Sequence, residues 1–177
     1  MPAPVAYTDV QYAGDAATAA CVVAAGWREA QPIEEHVVDI PSVSPYRPGA
    51  FYERELPCLL AVLARVTVQL GAIVVDGYVD LDEQGTPGLG AHLHARLEGK
   101  VPVIGVAKTS FRGAAWAKQV LRGTSLSPLF VTARGIEVAE AARLVREMHG
   151  PHRMPTLLTH VDQLARGIVR PRRGYGR

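Results

Sequence analysis

The feature that most constrains the fold is a pair of short apolar runs, each of which ends at a charged residue. Ala72–Val75 runs into Asp76, and Val101–Ala107 runs into Lys108. The runs begin about thirty residues apart, which is the length of a strand–helix–strand unit with parallel strands. Ligands gather at the carboxyl ends of such strands. We therefore predict that Asp76 and Lys108 lie near one sheet edge, although a lysine that merely begins a loop would show the same spacing.

The other apolar segments predict a mixed sheet covered by helices. Three strand-like segments open the chain, and the short connection at 13–15 contains Gly14, which favours an antiparallel hairpin and a three-strand meander. The predicted strands are 5–12, 18–25, 33–40, 72–75, 101–107 and 128–132, and the predicted helices are 50–69, 89–98, 138–149 and 157–166. Residues 109–126 are predicted to be irregular or strand-like. This order indicates an α/β fold with an antiparallel meander, parallel strands and flanking helices.

Length and composition restrict the class of protein. A chain of 177 residues with 48% hydrophobic and 20% charged residues fits one globular domain. We assign this domain to 1–166, followed by a basic tail at 167–177. No apolar run reaches the ~20 residues of a membrane span, and the first residues lack the pattern of a signal peptide. We expect a cytoplasmic monomer with no membrane contact, whose cysteines, Cys21 and Cys58, are reduced and buried.

Three carboxylates early in the chain need a physical explanation. Asp9 lies inside the first apolar strand, where a buried and unpaired charge would be costly. It must therefore lie at an exposed edge, accept hydrogen bonds or bind a cation, and edge exposure is the commonest case. Glu53 and Glu55 lie in the first turns of the predicted helix 50–69, where the helix dipole alone would favour them.

A proline-rich loop precedes that helix. Pro41, Pro45 and Pro48 fix the backbone and remove hydrogen-bond donors, so 41–49 is predicted to be a rigid loop. Tyr46 lies between two of these prolines. It either packs against the protein as part of a turn, or presents its ring to a partner such as stacked bases.

Several motifs together resemble the endonuclease V family. They follow the order and nearly the spacing of that family, at 7–12, at 45–49 with Glu55 beyond, at 75–77, at 104–108 and at 153–155 with Asp162. The resemblance covers nearly the whole chain. It implies a ribonuclease H-like fold that cuts nucleic acid one phosphodiester beyond a deaminated purine, chiefly inosine, with Mg²⁺ or Mn²⁺.

The resemblance also implies roles for individual residues. The metal-binding and catalytic carboxylates would be Asp9, Glu55 and Asp76, and the residue near the scissile phosphate would be Lys108. The wedge that fills the gap left by a displaced base would be Tyr46 with Pro45 and Pro48. The wall of the base pocket would be formed by Gly49, Phe51, Gly77 and Gly105. Mg²⁺ prefers oxygen ligands and keeps several waters, so carboxylates from two strands and a helix end suit it.

The chain departs from the family in two loops. After its Asp-Gly pair the family usually has a His-Pro pair and basic residues, whereas this chain has a polar, flexible loop with three acids, Asp80, Asp82 and Glu83. After the late strand the family tends to have Gly-His near the phosphate, whereas this chain has Gly135-Ile136. Acids near a polyanion repel it unless a cation lies between them. We expect Asp82 or Glu83 to help capture the ion, and we expect slow cleavage.

Three functions are compatible with the sequence. The first is a metal-dependent endonuclease that hydrolyses a phosphodiester near inosine or another deaminated base in DNA or RNA. The second is a nucleic-acid-binding module of the same fold with weak or no cleavage activity. The third is an unrelated α/β protein in which the order of motifs is accidental. Convergence of the three carboxylates on one point distinguishes the first two from the third.

Overall fold

The computed structural model describes residues 3–172, which form one sheet with helices on both faces. Its strands are β1 (Val5–Ala13), β2 (Ala16–Ala24), β3 (Glu34–Ile40), β4 (Ala72–Asp76), β5 (Val103–Ala107), β6 (Lys118–Val120) and β7 (Leu129–Arg134). Its helices are α1 (Phe51–Leu63), α2 (Leu89–Arg96), α3 (Val138–Glu147) and α4 (Thr156–Ala165). The seven strands of the described residues lie in the order β3-β2-β1-β4-β5-β7-β6.

The strand directions confirm the predicted mixed sheet. β1, β2 and β3 form the antiparallel meander, and β1, β4 and β5 are parallel neighbours. β7 is antiparallel to both β5 and β6. The carboxyl ends of β1, β4 and β5 therefore meet at one edge of the sheet, whereas β7 ends at the opposite edge.

Alternation along β1 explains how both faces of the sheet are covered. Val5 and Tyr7 pack into the cluster that contains the buried residues of α3 and α4. Ala6 and Val10 point the other way and pack with the buried residues of α1 and α2. Successive side chains of a strand face opposite sides, so each central strand contributes to both cores.

Cys21 and Cys58 are buried free thiols, as predicted.

The element boundaries differ from the predictions where side chains interrupt regular structure. The helix predicted for 50–69 ends at Leu63. Beyond it, the Thr67 N–H donates to the Glu34 carboxylate at 3.1 Å, a bond that competes with further helical pairing. The region 109–126 contains the short strand β6 at the sheet edge.

Within 3–172, no helix combines the length and the apolar character that a bilayer span requires. The predicted tail at 167–177 is described only as far as Arg172, and 173–177 lie outside the described residues. The Arg172 N–H donates to the buried Glu35 carboxylate at 2.6 Å. The beginning of the predicted tail is thus attached to β3.

Candidate functional site

The carboxyl ends of β1, β4 and β5 bring the first predicted site residues together. Tyr7 pairs with Val74 in the parallel β1–β4 register, so Asp9 and Asp76 lie at equivalent positions two residues further on. The Lys108 ammonium lies 3.9 Å from the Asp76 carboxylate. This contact confirms the prediction that Asp76 and Lys108 lie at the same sheet edge.

Asp9 is buried, contrary to the expectation that edge exposure is the commonest case. Its residue is only 7% exposed, and its carboxylate accepts the Val10 N–H at 2.9 Å. Burial raises the pKa of Asp9 to about 7, and the nearby negative charges of Asp76 and Asp162 add to the increase. The structure excludes edge exposure as the explanation for an acid inside this strand. Hydrogen bonding and a bound cation are the two explanations compatible with it.

Glu55 approaches the same region from α1. It is 6% exposed, and burial, followed by the charges of Asp9 and Asp76, raises its pKa to about 8. Glu53 points elsewhere, because its carboxylate pairs with Arg47 at 3.2 Å on the surface. The helix register therefore directs Glu55, and not Glu53, toward the strand carboxylates.

Asp162 is a fourth carboxylate, to which the sequence analysis assigned no role. It lies on α4 and lines a cavity of about 20 Å³ together with Asp9, Asp76 and Lys108. Its charge contributes to the raised pKa values of both strand acids. The place of Asp162 in this site could have been predicted from its match to the family motif. Its neighbour Val161 is buried against the sheet, so Asp162 lies on the part of α4 that packs on the strands.

These carboxylates have the chemistry of a divalent-cation site. Burial also raises the pKa of Asp76, an effect that Lys108 opposes. Crowded carboxyls of this kind either retain protons or attract a cation, and oxygen donors suit Mg²⁺ and Mn²⁺. In the described part of the chain, no group of three or more His, Cys, Asp or Glu side chains stands in an arrangement that could hold an ion. The donor types therefore fit a metal, and ion binding would require the side chains to draw together.

A larger cavity of about 790 Å³ adjoins the acidic one and shares Asp76 and Lys108 with it. Three of the predicted pocket residues line it, namely Gly49, Phe51 and Gly77. The remaining lining residues are largely apolar or aromatic, and include Tyr52, Tyr78, Leu81, Leu89 and Phe111. A cleft of this size and character is typical of a site for a small organic ligand.

Tyr78 holds one wall of this cavity, which we call the 109–112 wall. Its hydroxyl donates to the Thr109 carbonyl at 2.7 Å and accepts the Phe111 N–H at 3.1 Å. The wall ends at Arg112, whose backbone φ is 47°. Gly113, which follows the wall, has a φ of 78°. The Tyr78 hydroxyl thus fixes a segment with left-handed backbone geometry at the cavity.

Gly105 does not line the cavity, although it was predicted to form the pocket wall. A Cβ at this position would lie 2.4 Å from the Gly77 carbonyl oxygen and 2.8 Å from the Thr132 hydroxyl. The segment after β4 crosses directly over β5 here, and the Val79 N–H donates to Thr132 at 2.8 Å. The backbone that approaches Gly105 is therefore that of Gly77 in the same chain. The absence of a side chain at Gly105 lets Gly77 take its place at the cavity.

Tyr46 is exposed, as one of the two interpretations of its loop requires. It is 60% exposed, and Pro45 and Pro48 beside it are also exposed. The loop contains neither helix nor strand from 41 to 50. The ring is therefore accessible to a partner, and the interpretation in which Tyr46 packs against the protein is wrong.

Two of the three loop acids, Asp80 and Asp82, have partners, contrary to the expectation of a flexible loop. The Asp82 carboxylate accepts the Thr86 N–H at 2.9 Å and the Thr86 hydroxyl at 2.5 Å. Asp80 pairs with Arg134 at 2.6 Å, and its carbonyl accepts the Trp116 indole N–H. These contacts tie the loop down and occupy two of its three acids.

The Gly135-Ile136 departure lies far from the carboxylates along the sheet. Arg134 at the end of β7 pairs with Val103 at the start of β5, because the two strands are antiparallel. Asp76 and Lys108 lie at the opposite ends of their strands. The expectation that this departure removes a histidine near the phosphate is therefore wrong.

Comparison with known proteins identifies the family. The Endonuclease V family model matches residues 2–146. Endonuclease V of Xylella fastidiosa strain Temecula1 is 37% identical over 81 residues, which are 46% of this chain but only 33% of that relative. The chain thus covers about a third of this curated relative.

Solved structures share the fold. Endonuclease V of Streptomyces avermitilis superposes with a TM-score of 0.74 at 25% identity, covering 95% of this chain and 83% of that one. Ciona intestinalis Endonuclease V, in complex with a 24mer DNA that contains an inosine followed by a ribo-adenosine, gives 0.79 at 18% identity, with 94% and 85% covered. The predicted ribonuclease H-like fold is confirmed. Since the family model spans well over half of the sequence, the chain belongs to the Endonuclease V family.

Proposed function

We propose that this protein is a metal-dependent endonuclease that hydrolyses a phosphodiester near inosine or another deaminated base in DNA or RNA. The observation that carries the proposal is the pair of adjoining cavities. One is lined by the carboxyls of Asp9, Asp76 and Asp162, of which Asp9 is buried and has a raised pKa, whereas the other is large and mostly apolar, and the two share Asp76 and Lys108. This arrangement supports a function in which carboxylates that would bind an ion stand beside room for a base, as repair or processing of deaminated nucleic acid would use them.

In this proposal the carboxylates of Asp9, Glu55 and Asp76 hold Mg²⁺, and Mn²⁺ can replace it. Asp162 completes the charge of the cluster from α4. A divalent ion held there would supply a water of lowered pKa and would neutralise charge on phosphate oxygens. Lys108 lies close enough to Asp76 to contact a phosphate oxygen at the same point. It balances part of the negative charge of the carboxylates, so that a polyanion can approach.

The adjoining cavity would receive the displaced base. Gly49, Phe51 and Gly77 line it, and Tyr46 stands exposed on the preceding loop, where its ring can stack on the bases left behind. The inosine-containing DNA bound by the Ciona protein supports this substrate class. We expect the protein to act as a cytoplasmic monomer.

A cleavage assay tests the proposal. End-labelled single-stranded DNA and RNA, each with one inosine, are incubated with the protein and Mg²⁺, Mn²⁺ or EDTA, and matched strands with adenine in place of the inosine serve as controls. We expect one product near the inosine with either ion and none with EDTA. Glu55→Gln should abolish the product.

Two outcomes would contradict the proposal in different ways. Tight and inosine-selective binding without a product under any ion would favour the nucleic-acid-binding module. A product that persists in EDTA, or in Glu55→Gln protein, would show that the carboxylate cluster is not the cleavage site.

A further inference from the structure

Arg122 is a buried arginine whose two terminal guanidinium nitrogens donate only to backbone carbonyls, while its Nε has no hydrogen-bond partner among the described residues. It follows β6 and is 6% exposed. Its guanidinium donates to the carbonyls of Met148 at 2.5 Å, Gly150 at 3.1 Å, His152 at 2.8 Å and Arg153 at 3.2 Å. Burying a charge without hydrogen bonds is costly, and the four carbonyls supply those bonds to the terminal nitrogens, so this loop conformation and the Arg122 side chain depend on each other.

The four acceptors belong to one connection, 148–155, which joins α3 to α4. We call this connection the α3–α4 loop. Its backbone also packs on Gly123, where a Cβ would lie 2.5 Å from the Pro151 carbonyl oxygen. The guanidinium is planar and carries five donors in a fixed arrangement, which a lysine ammonium cannot reproduce. Arg122 therefore fixes the course of the α3–α4 loop.

The α3–α4 loop reaches the acidic site through Arg153. The Arg153 guanidinium donates to the Lys108 carbonyl and, at 2.8 Å, to the Pro128 carbonyl. Lys108 is the first residue after β5, and its ammonium lies 3.9 Å from Asp76. The next loop residue, Met154, lines the acidic cavity itself. A continuous chain of contacts thus runs from Arg122 to the backbone of Lys108.

We infer that Arg122 and Arg153 are positioning residues for Lys108: Arg122 fixes the α3–α4 loop, and Arg153 anchors the Lys108 backbone so that its ammonium stays beside Asp76. The role of Lys108 in cleavage rests on the proposed function, whereas the anchoring itself does not. Lys108 follows a strand end and begins a loop, so its carbonyl needs an external partner to keep its place. Small displacements of a group that contacts the reacting phosphate lower the rate strongly.

A spectroscopic measurement tests the anchoring without any cleavage. The chain contains three lysines, Lys100, Lys108 and Lys118, so lysine labelled with ¹³C at Cε gives three signals, and Lys108→Arg assigns one of them. The Lys108 side chain is 44% exposed, whereas that of Lys100 is 72% exposed. In Arg153→Met and Arg122→Lys proteins, we expect the Lys108 signal to move toward the other two and to narrow.

Arg122→Lys is the milder change at the buried position, since it keeps a charge and part of the hydrogen bonding. Arg146→Met, at an exposed arginine on α3, is the matched control and should leave the Lys108 signal unchanged. An unmoved Lys108 signal in folded Arg153→Met protein would overturn the anchoring. A shift of the same size in the control would do so as well.

Cleavage kinetics then test the functional consequence. Arg153→Met should lower kcat about ten- to hundredfold with little change in KM. In a Lys108→Ala background the same change should lower kcat less than about twofold, because the group that Arg153 positions is gone. Equal effects in both backgrounds would show that Arg153 acts independently of Lys108. If the parent protein cleaves nothing, the proposed function fails, while the lysine signals still decide the anchoring.

Discussion

The two adjoining cavities differ in size, in lining and in the elements that build them. The acidic cavity measures about 20 Å³ and is bounded by strand ends and α4. The neighbouring cavity measures about 790 Å³ and is bounded largely by the loop before α1, the loop after β4 and the 109–112 wall. The two cavities therefore suit different tasks. Rigid strands and a helix hold the charged groups of the acidic cavity, whereas loops shape the apolar space of the larger one.

This separation has a physical basis. Like charges within a few ångströms repel each other, so they stay close only when the backbone beneath them cannot relax. The parallel pairing of β1 with β4 provides that rigidity for Asp9 and Asp76. Loops, in contrast, tolerate changes of sequence and length, which lets one scaffold accommodate different ligands. If the cavities divide the work in this way, a change at one cavity should leave the task of the other intact.

The largest expected effect is on cleavage, from a change in the acidic cavity. Asp76→Asn should reduce the cleavage rate at least about 10³-fold, because the cluster loses a ligand and a charge. Binding of uncleaved inosine-containing DNA in EDTA should change less than about threefold, and the melting temperature should not fall, because repulsion among the acids decreases. Single-turnover cleavage, fluorescence anisotropy and thermal unfolding measure the three quantities.

The matched control is Asp39→Asn, at an exposed aspartate on β3 that accepts a hydrogen bond from Thr18. It should leave all three quantities unchanged. A rate for Asp76→Asn within about tenfold of the parent rate would contradict the assignment of catalysis to the acidic cavity.

A change next to the large cavity should affect binding and spare the chemistry. Tyr46→Ala should weaken the affinity for inosine-containing DNA about ten- to hundredfold, since stacking of a base on an aromatic ring contributes about 1–3 kcal/mol. The free energy of unfolding should barely change, because the ring is 60% exposed. Tyr46→Phe keeps the ring and should bind like the parent. Equal loss of affinity in both variants would argue against stacking.

The acidic cavity should also make stability depend on pH in an unusual direction. The pKa of Asp9 rises from 3.8 to about 7, and that of Glu55 from 4.5 to about 8. At a pH between the ordinary and the raised pKa of each group, the folded protein binds more protons than the unfolded chain. The free energy of unfolding therefore falls as pH rises through this range. Because a rise of one pKa unit corresponds to about 1.4 kcal/mol, we expect a loss of several kcal/mol between about pH 4 and pH 8 in EDTA.

Urea unfolding at a series of pH values measures this slope. Glu55→Gln should flatten the slope in the upper part of the range, where the raised pKa of Glu55 lies, and a divalent ion should restore stability at pH 8. A stability that rises continuously from pH 4 to pH 8 would show that these acids are ionised in the folded protein without an ion.

The strand ends of the acidic cavity could be predicted from the sequence, whereas its helix residue could not. Asp76 and Lys108 end apolar runs, so their position depends on the strand pattern alone, and the prediction was correct. Asp162 lies 153 positions from Asp9 along the chain, and nothing local reveals that α4 returns to the carboxylates. Only the family motif indicated it.

The loops were less predictable because their partners are distant. Gly105 was assigned to the pocket wall because it is a glycine in a family motif, but the backbone that approaches it belongs to Gly77. Asp80 was assigned to a flexible loop, and in the structure it pairs with Arg134, which lies on a strand 54 positions later. Local sequence reveals that a close approach or a partner is needed, and only the folded chain reveals which group supplies it.

The smallest expected effect comes from the acids beside the large cavity. Asp82 is engaged by Thr86, so the double change Asp82→Ala and Glu83→Ala should leave the midpoint of a Mg²⁺ titration of cleavage within about twofold of the parent value. Glu83→Ala alone separates loss of charge from loss of the Asp82–Thr86 bonds. A midpoint raised about fivefold or more in both variants would show that Glu83 helps to capture the ion. The charged cleft would then extend into the loop after β4, and the division between the two cavities would fail.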